Sequence, residues 1–226
     1  GSGLAFDESY RLAHLPLVAP RHPRVIPARE GRPYAMGRHP RSHSLVLPVP
    51  GEALARSPAH AALEAELRAA PFAPKIAWDL LERRRDVLHA TLSGDIGSGD
   101  PRHLGAEALR ELAALGPVGV EMRGLFSGTL NLGRLYLRVY PERRDGENVL
   151  RRIQRLLGRR ETDLFLVGLY NLAEELDAAE AGALGALIER WWDRPILRLQ
   201  ADHLWLLGSC DDLVLDGAVE AIVPLR

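Results

Sequence analysis

The stretch Val87-Leu-His-Ala-Thr-Leu92 alternates between polar and apolar residues, and the rest of the fold can be read outward from it. Side chains two residues apart on a β-strand point to the same face of a sheet. His89 and Thr91 therefore share one face, and the apolar residues around them turn towards a core. The pattern predicts a strand that presents an imidazole beside a hydroxyl.

The segments before this strand favour a hairpin. A strand is predicted at 44–50 and a helix at about 52–69. The alternating run 75–80 is joined to the strand at 87–92 by the charged segment Glu82–Asp86, which has the composition of a turn.

The segments after it continue as alternating groups of strands and helices. Residues 93–101 are rich in glycine and predict a loop. We then expect a helix at 105–115, strands at 118–126 and 133–140, a helix at 147–158, a strand at 163–170, a helix at 173–190, and a closing hairpin of strands at 196–207 and 213–224. This order is not a strict βαβ alternation, so the sequence predicts the α+β class.

Composition limits the function more than it defines it. The chain has 226 residues, a formal net charge of −1 and one cysteine. It therefore has no global basic field for duplex DNA and no internal disulfide. No apolar run is long enough to span a membrane, and the N-terminus lacks a secretion pattern, so we expect a cytoplasmic protein without membrane contact. The oligomeric state is left open.

Residues His89 and Thr91 have the chemistry of a phosphoryl-transfer site. Histidine moves protons near neutral pH, and a hydroxyl can donate to a phosphoryl oxygen as charge develops on it. The alternative interpretation is a buried histidine that bonds to Thr91 or to the backbone.

The chain resembles the two-histidine phosphoesterases. The resemblance lies in a strand, a helix and the His-x-Thr-Leu run of residues 89–92, followed by a second half of similar plan. This family includes 2′-5′ RNA ligase-like proteins and cyclic phosphodiesterases. The resemblance covers residues 43–226 as one bilobal domain, and residues 1–42 form an arm rich in Pro, Arg and His. It implies two pseudo-symmetric lobes of antiparallel sheet with flanking helices around a central groove. Two His-x-Thr/Ser motifs would face each other there, without a metal or another cofactor.

The second motif of this resemblance is missing. It should fall at Leu164–Val167 or one residue along, and neither register contains histidine, serine or threonine. Another group would have to replace it. The candidates are Tyr170 and Asn171 at the end of that strand, His203, and the row Arg134, Tyr136 and Arg138 on its expected neighbour, which could hold a phosphate or form a solvated face.

Two functions follow from the resemblance. The first is a metal-independent phosphoesterase acting on a 2′,3′-cyclic phosphate or a 2′-5′ phosphodiester of a nucleotide or RNA end, with His89 as acid or base and Thr91 as phosphoryl donor. The second is a catalytically degenerate module that binds a nucleotide or RNA terminus. A third interpretation is a protein–protein scaffold that uses the arm and Trp191-Trp192.

Overall fold

The described part of the molecule is built around an antiparallel eight-stranded sheet. The computed structural model describes residues 8–226. The sheet has the strand order β10-β9-β1-β2-β7-β4-β3-β8, and a separate two-stranded ribbon is formed by β5 and β6. The strands are β1 (Arg38–Pro48), β2 (His89–Ile96), β3 (Val118–Ser127), β4 (Arg134–Pro141), β5 (Arg143–Arg144), β6 (Glu147–Asn148), β7 (Leu166–Asn171), β8 (Pro195–Ala201), β9 (His203–Asp211) and β10 (Gly217–Pro224).

Within the described residues, six helices cover one face of this sheet and bury its apolar side chains: α2 (Gly51–Ala55), α3 (Pro58–Ala69), α4 (Asp79–Arg83), α5 (Ala106–Leu115), α6 (Val149–Leu156) and α7 (Ala178–Trp191). Helix α1 (Glu8–Val18) lies on the opposite face and packs in a separate small apolar cluster. Leu63 of α3, Ile153 of α6 and Leu184 of α7 are fully buried in the main core, together with Ala90 and Val167 of the sheet. The α+β class with an antiparallel sheet and flanking helices is thus confirmed.

The sheet consists of two four-stranded halves that meet at its middle. Half 1 has the order β10-β9-β1-β2, and half 2 has the order β7-β4-β3-β8. The halves join where Ala90 of β2 pairs with Val167 of β7.

The sheet is curled because β8 and β9 are nearly continuous in the chain. Only Asp202 separates them, yet β8 lies at one edge of the sheet and β9 lies next to the opposite edge. In a flat sheet several strand spacings of about 4.8 Å would keep them apart. The single strand predicted at 196–207 is therefore wrong: β8 pairs with β3 and β9 pairs with β1 and β10.

The predicted hairpin between 75–80 and 87–92 is also wrong. Residues 73–75 form a 3₁₀ turn and α4 follows, so that Ile76 contributes only an isolated bridge to Leu172. Trp78 donates its indole N–H to the carbonyl of Ala73, which favours a turn over an extended run. Strand β2 pairs instead with β1 and β7.

Local capping explains two other differences in helix bounds. The helix expected at 52–69 is split, because Ser57 accepts the backbone N–H of His60 and Pro58 begins α3. The helix expected from 173 begins later, where Asp177 and Glu180 form a capping box.

The N-terminal segment has more structure than the sequence predicts. Helix α1 buries Leu12 and Leu15, and β1 begins at Arg38, so this strand crosses the predicted boundary between residues 42 and 43. Residues 1–7 of the predicted arm lie outside the described part of the chain. Between residues 8 and 226, no helix has the length and apolar character needed to cross a membrane.

Candidate functional site

A cavity of about 360 Å³ opens on the sheet face opposite the main core, where the two halves meet. We call it the groove. Its polar lining includes His89 and Thr91 of β2 and Arg134 and Tyr136 of β4, and Arg84 reaches it from the segment after α4. Four of the residues proposed from sequence therefore lie together, and one further arginine joins them.

The imidazole of His89 has a defined tautomer. Its Nδ1 lies 2.6 Å from the carbonyl oxygen of Val87, so Nδ1 carries the proton and donates it. The Nε2 of the neutral ring is then a hydrogen-bond acceptor. Burial lowers the pKa of His89 from 6.5 to about 4, with smaller contributions from the charges of Arg84 and Arg134 and against the effect of the bond to Val87. The ring is a neutral, weak base at pH 7.

Strand β7 presents no matching side chains across from β2. The pair Ala90–Val167 sets Gly168 opposite His89 and Leu166 opposite Thr91. A two-fold axis through that pair relates His89 to Leu166. The register of the missing motif is therefore Leu166–Gly168, shifted from the predicted Leu164–Val167, and it contains no histidine or hydroxyl group.

A guanidinium occupies the space that β7 leaves empty. The side chain of Arg134 lies directly over Gly168, where an added Cβ would collide with its Cζ and Nε atoms. Between residues 8 and 226, Arg134 makes no ion pair, and its buried Nε has no hydrogen-bond partner. Because Gly168 has no side chain, the guanidinium of Arg134 on the neighbouring strand β4 can occupy this space.

A second guanidinium, Arg84, is enclosed beneath the groove. Only 1% of this residue is exposed. Its Nη1 donates to the carbonyl of Gly168 at 2.9 Å and its Nε donates to the carbonyl of Leu213 at 2.6 Å. Burial lowers its pKa well below the usual value, and the nearby charge of Arg134 acts in the same direction. Within the described residues, Arg84 makes no ion pair with a carboxylate.

Sequence reasoning missed Arg84, because it stands inside the run Glu82–Asp86, whose charged composition predicts a turn. The helical bend of that run is what separates Arg84 from its exposed neighbours Arg83 and Arg85. An isolated arginine between two others carries no pattern that identifies it as buried.

The carboxylates near the groove are occupied by other partners. Asp211 accepts the backbone N–H groups of Leu213, Leu215 and Asp216 and so closes its own turn. Asp212 is bridged by His14 at 2.8 Å and His39 at 3.1 Å. Burial acts to raise the pKa of Asp212, but the hydrogen bonds and charges of the two histidines lower it overall.

Arg138 shares the β4 face of Arg134 and Tyr136 but lies outside the groove. Its guanidinium stacks 3.7 Å from the ring centre of Trp192 and donates to the carbonyl oxygen of that residue. It also donates to the hydroxyl of Tyr140. Of the three residues predicted as one row, Arg134 and Tyr136 thus line the groove, whereas Arg138 packs against the indole of Trp192.

Tyr170 and Asn171 point in directions that simple alternation does not give. The register between β4 and β7 shifts between Leu135 and Tyr136, so one residue of β7 bulges. Tyr170 consequently faces the helix layer, where its hydroxyl lies 3.0 Å from His60 Nε2 and donates to Glu64 at 3.1 Å. Asn171 faces the other side and lines a small cavity beneath α1.

The other sequence candidates have local partners. Arg151 and Arg155 of α6, which repeat at a helical spacing of four residues, pair with Glu161 at the surface. His203 bonds to Asp202 at 2.6 Å and does not line the groove. Across residues 8–226, no set of three His, Cys, Asp or Glu side chains is arranged to hold a metal ion.

The fold and the groove together define an antiparallel α+β protein with a cationic cleft. No protein-family model matches the chain, and no curated protein matches it either. Among solved structures, the crystal structure of TT0787 of Thermus thermophilus is similar to it, with 15% identity and a TM-score of 0.43 over 82% of this chain and 98% of that chain. Function has to be inferred from the groove's own residues.

Proposed function

We propose that the groove binds the phosphate group of a nucleotide or an RNA end. The observation that carries this proposal is that two guanidiniums meet at the Gly168 backbone: Arg134 lies over it and Arg84 donates to its carbonyl, with no carboxylate paired to either of them in the described chain. Arginine presents several N–H donors in a planar fork that fits phosphate oxygens.

Electrostatics favours an anionic ligand here. Burial and the charge of Arg134 disfavour the charged form of Arg84 and lower its pKa, and the carboxylate of Asp211 offsets only part of this effect. A bound phosphate would offset both effects, because it brings negative charge into a site where water screens little. Thr91 would add a hydroxyl donor on the other wall of the groove.

Binding without efficient turnover fits the missing second motif. In the two-histidine phosphoesterases that the chain resembles, one histidine acts as base and the other as acid. Here Leu166 stands at the symmetry-related position, and the depressed pKa of His89 makes it a poor acid at neutral pH. A positioned acid or base contributes about 10²–10⁴-fold to a rate, so its loss is costly.

A second candidate function is a slow, metal-independent phosphoesterase that acts on a 2′,3′-cyclic phosphate or a 2′-5′ phosphodiester. It is favoured by the tautomer of His89, whose Nδ1–H bond to Val87 leaves Nε2 as an acceptor of the kind that a general base needs. His89 would then take a proton from water or from a ribose hydroxyl, and Arg134 would stabilise the developing charge.

Two measurements test these functions separately. Titration calorimetry with inorganic phosphate and 3′-nucleotides tests binding, and no heat of binding with any of them would overturn the proposal. Product formation from 2′,3′-cyclic nucleotides and 2′-5′-linked dinucleotides, with wild type beside His89→Ala, tests turnover. Turnover that is lost in His89→Ala would establish the phosphoesterase, and binding with no turnover would establish the binding module.

A further inference from the structure

A second, much smaller cavity lies beneath α1 and adjoins the groove. Its volume is about 30 Å³, and it shares Tyr10, Arg134 and Tyr136 with the groove lining. A buried water needs about 10–15 Å³ measured in this way, so the cavity accommodates about two groups of the size of a hydroxyl.

Two residues that line this cavity each carry a buried polar atom without a hydrogen-bond partner among residues 8–226. Asn171 is only 4% exposed, and its Oδ1 accepts no hydrogen bond from residues 8–226. The buried Nε of Arg134, its partner in the strand register, likewise has no acceptor within that range. An unpaired buried polar atom costs about 1–3 kcal/mol, so such atoms are normally satisfied by water or by a ligand.

The two unpaired atoms have complementary roles. Oδ1 of Asn171 needs a donor, and Nε–H of Arg134 needs an acceptor. A hydroxyl group is both donor and acceptor, so one hydroxyl, or two neighbouring ones, can meet both needs. Arg134 lines both the cavity and the groove where the phosphate is proposed to bind, so a hydroxyl in the cavity would lie close to that phosphate.

We propose that this cavity is the subsite for the free ribose hydroxyl next to the bound phosphate, and that Asn171 and Arg134 thereby distinguish an RNA end from a DNA end. The inference rests on the proposed phosphate-binding function and adds the substrate class. The 2′-hydroxyl is the group by which proteins tell RNA from DNA. The 3′-phosphate of a ribonucleotide carries such a hydroxyl on the adjacent carbon.

The test compares uridine 3′-phosphate with 2′-deoxyuridine 3′-phosphate by titration calorimetry on the full chain, so that the contributions of base and phosphate cancel. Wild type is expected to prefer the ribonucleotide about tenfold, the value of one buried hydrogen-bonded hydroxyl. Asn171→Leu, which keeps the size of the side chain and removes its polar atoms, is expected to bind both ligands equally. Gln200→Leu removes a carboxamide on the exposed edge strand β8 and is expected to keep the preference.

Inorganic phosphate separates failure of this inference from failure of the groove. Unchanged phosphate affinity and an unchanged melting temperature in Asn171→Leu would show that the groove and the fold are intact. Equal binding of the two nucleotides by wild type would mean that the cavity holds ordered water only, and the inference would be overturned. A ribonucleotide preference that persists in Asn171→Leu would overturn it as well. If neither nucleotides nor inorganic phosphate bind, the proposed function itself fails and takes this inference with it.

Discussion

Strands β2 and β7 are neighbours at the middle of the sheet, yet they contribute opposite things to the groove. β2 supplies side chains, with His89 and Thr91 on the groove face. β7 supplies an apolar Leu166 and the bare backbone of Gly168, over which Arg134 lies. One strand brings groups that can move protons and donate hydrogen bonds, and the other brings space for a fixed positive charge.

The comparison shows that a strand without a histidine or hydroxyl group need not present an inert surface. A histidine on β7 would be a second group able to move protons, whereas Gly168 leaves the position to the guanidinium of Arg134, which suits an anion. The groove thus has one half suited to chemistry and one half suited to holding an anion. Four substitutions probe this difference, from the largest expected effect to the smallest.

Leu166→His places a histidine at the position that the two-fold axis through the Ala90–Val167 pair relates to His89. If the groove lacks only a second acid or base, hydrolysis of a 2′,3′-cyclic nucleotide should rise about 10²-fold or more over wild type. Steady-state product formation measures this. Leu164→His, on the exposed rim of the same groove, is the matched control and should give no increase. Equal rates in the two variants would mean that the second half has lost more than a histidine.

Arg134→Gln removes the guanidinium that lies over Gly168. Hydrogen bonds to charged groups contribute about 1.5–3 kcal/mol, so affinity for inorganic phosphate should fall by about 10–100-fold. Titration calorimetry at fixed salt measures the loss. Arg102→Gln removes an exposed arginine that pairs with Asp100; it controls for the change in net charge and should bind like wild type.

His89 should make the fold sensitive to acid. The folded state has a pKa of about 4 there and the unfolded state about 6.5, so the unfolded state binds more protons between these values. The contribution of neutral His89 to the free energy of unfolding is fully present above about pH 6.5 and is lost as pH falls towards 4. We expect wild type to lose about 1–3 kcal/mol more than His89→Gln between pH 7 and 4.5, as measured by urea denaturation. Parallel pH curves for the two proteins would contradict the burial of a neutral ring.

Gly168→Ala should weaken phosphate binding several-fold, because the new methyl group would displace the Arg134 guanidinium. Gly94→Ala is the matched control: it adds the same methyl to a strand glycine, where the new Cβ would meet no atom within 4 Å among residues 8–226 other than those of its chain neighbours. Phosphate titrations of both variants beside wild type measure the effect. A loss of affinity in Gly94→Ala as large as in Gly168→Ala would indicate a general loss of strand order instead of a displaced arginine.

Much of the groove follows from the two-residue period of a strand. That period is enough to put His89 and Thr91 on one face of β2. It likewise puts Arg134 and Tyr136 on one face of β4. It fails at Tyr170 and Asn171, because a bulge depends on how β7 meets β4 and leaves no mark in either sequence. The α+β class follows from the order of elements, which does not depend on register.

The errors in the fold have the same origin. Residues 75–80 alternate like a strand, but they turn because Trp78 and Ala73 are hydrogen-bonded. Residues 196–207 read as one strand because the kink at Asp202 involves no glycine or proline. Arg84 owes its burial to two carbonyl acceptors, those of Gly168 and Leu213, which lie far away along the chain.

The division of the sheet also sets an order in which the molecule can be assembled. Half 2 is drawn from residues 118–201, one contiguous segment, whereas half 1 joins β1 and β2 to β9 and β10 across that whole segment. Contacts between distant parts of a chain form slowly, because the loop between them must close first. During synthesis half 2 can therefore fold before half 1, because β9 and β10 of half 1 lie in residues 203–224, which are made after half 2. A ribosome-bound chain that stops before β9 should already protect its half 2 strands from proteolysis while its groove has no ability to bind.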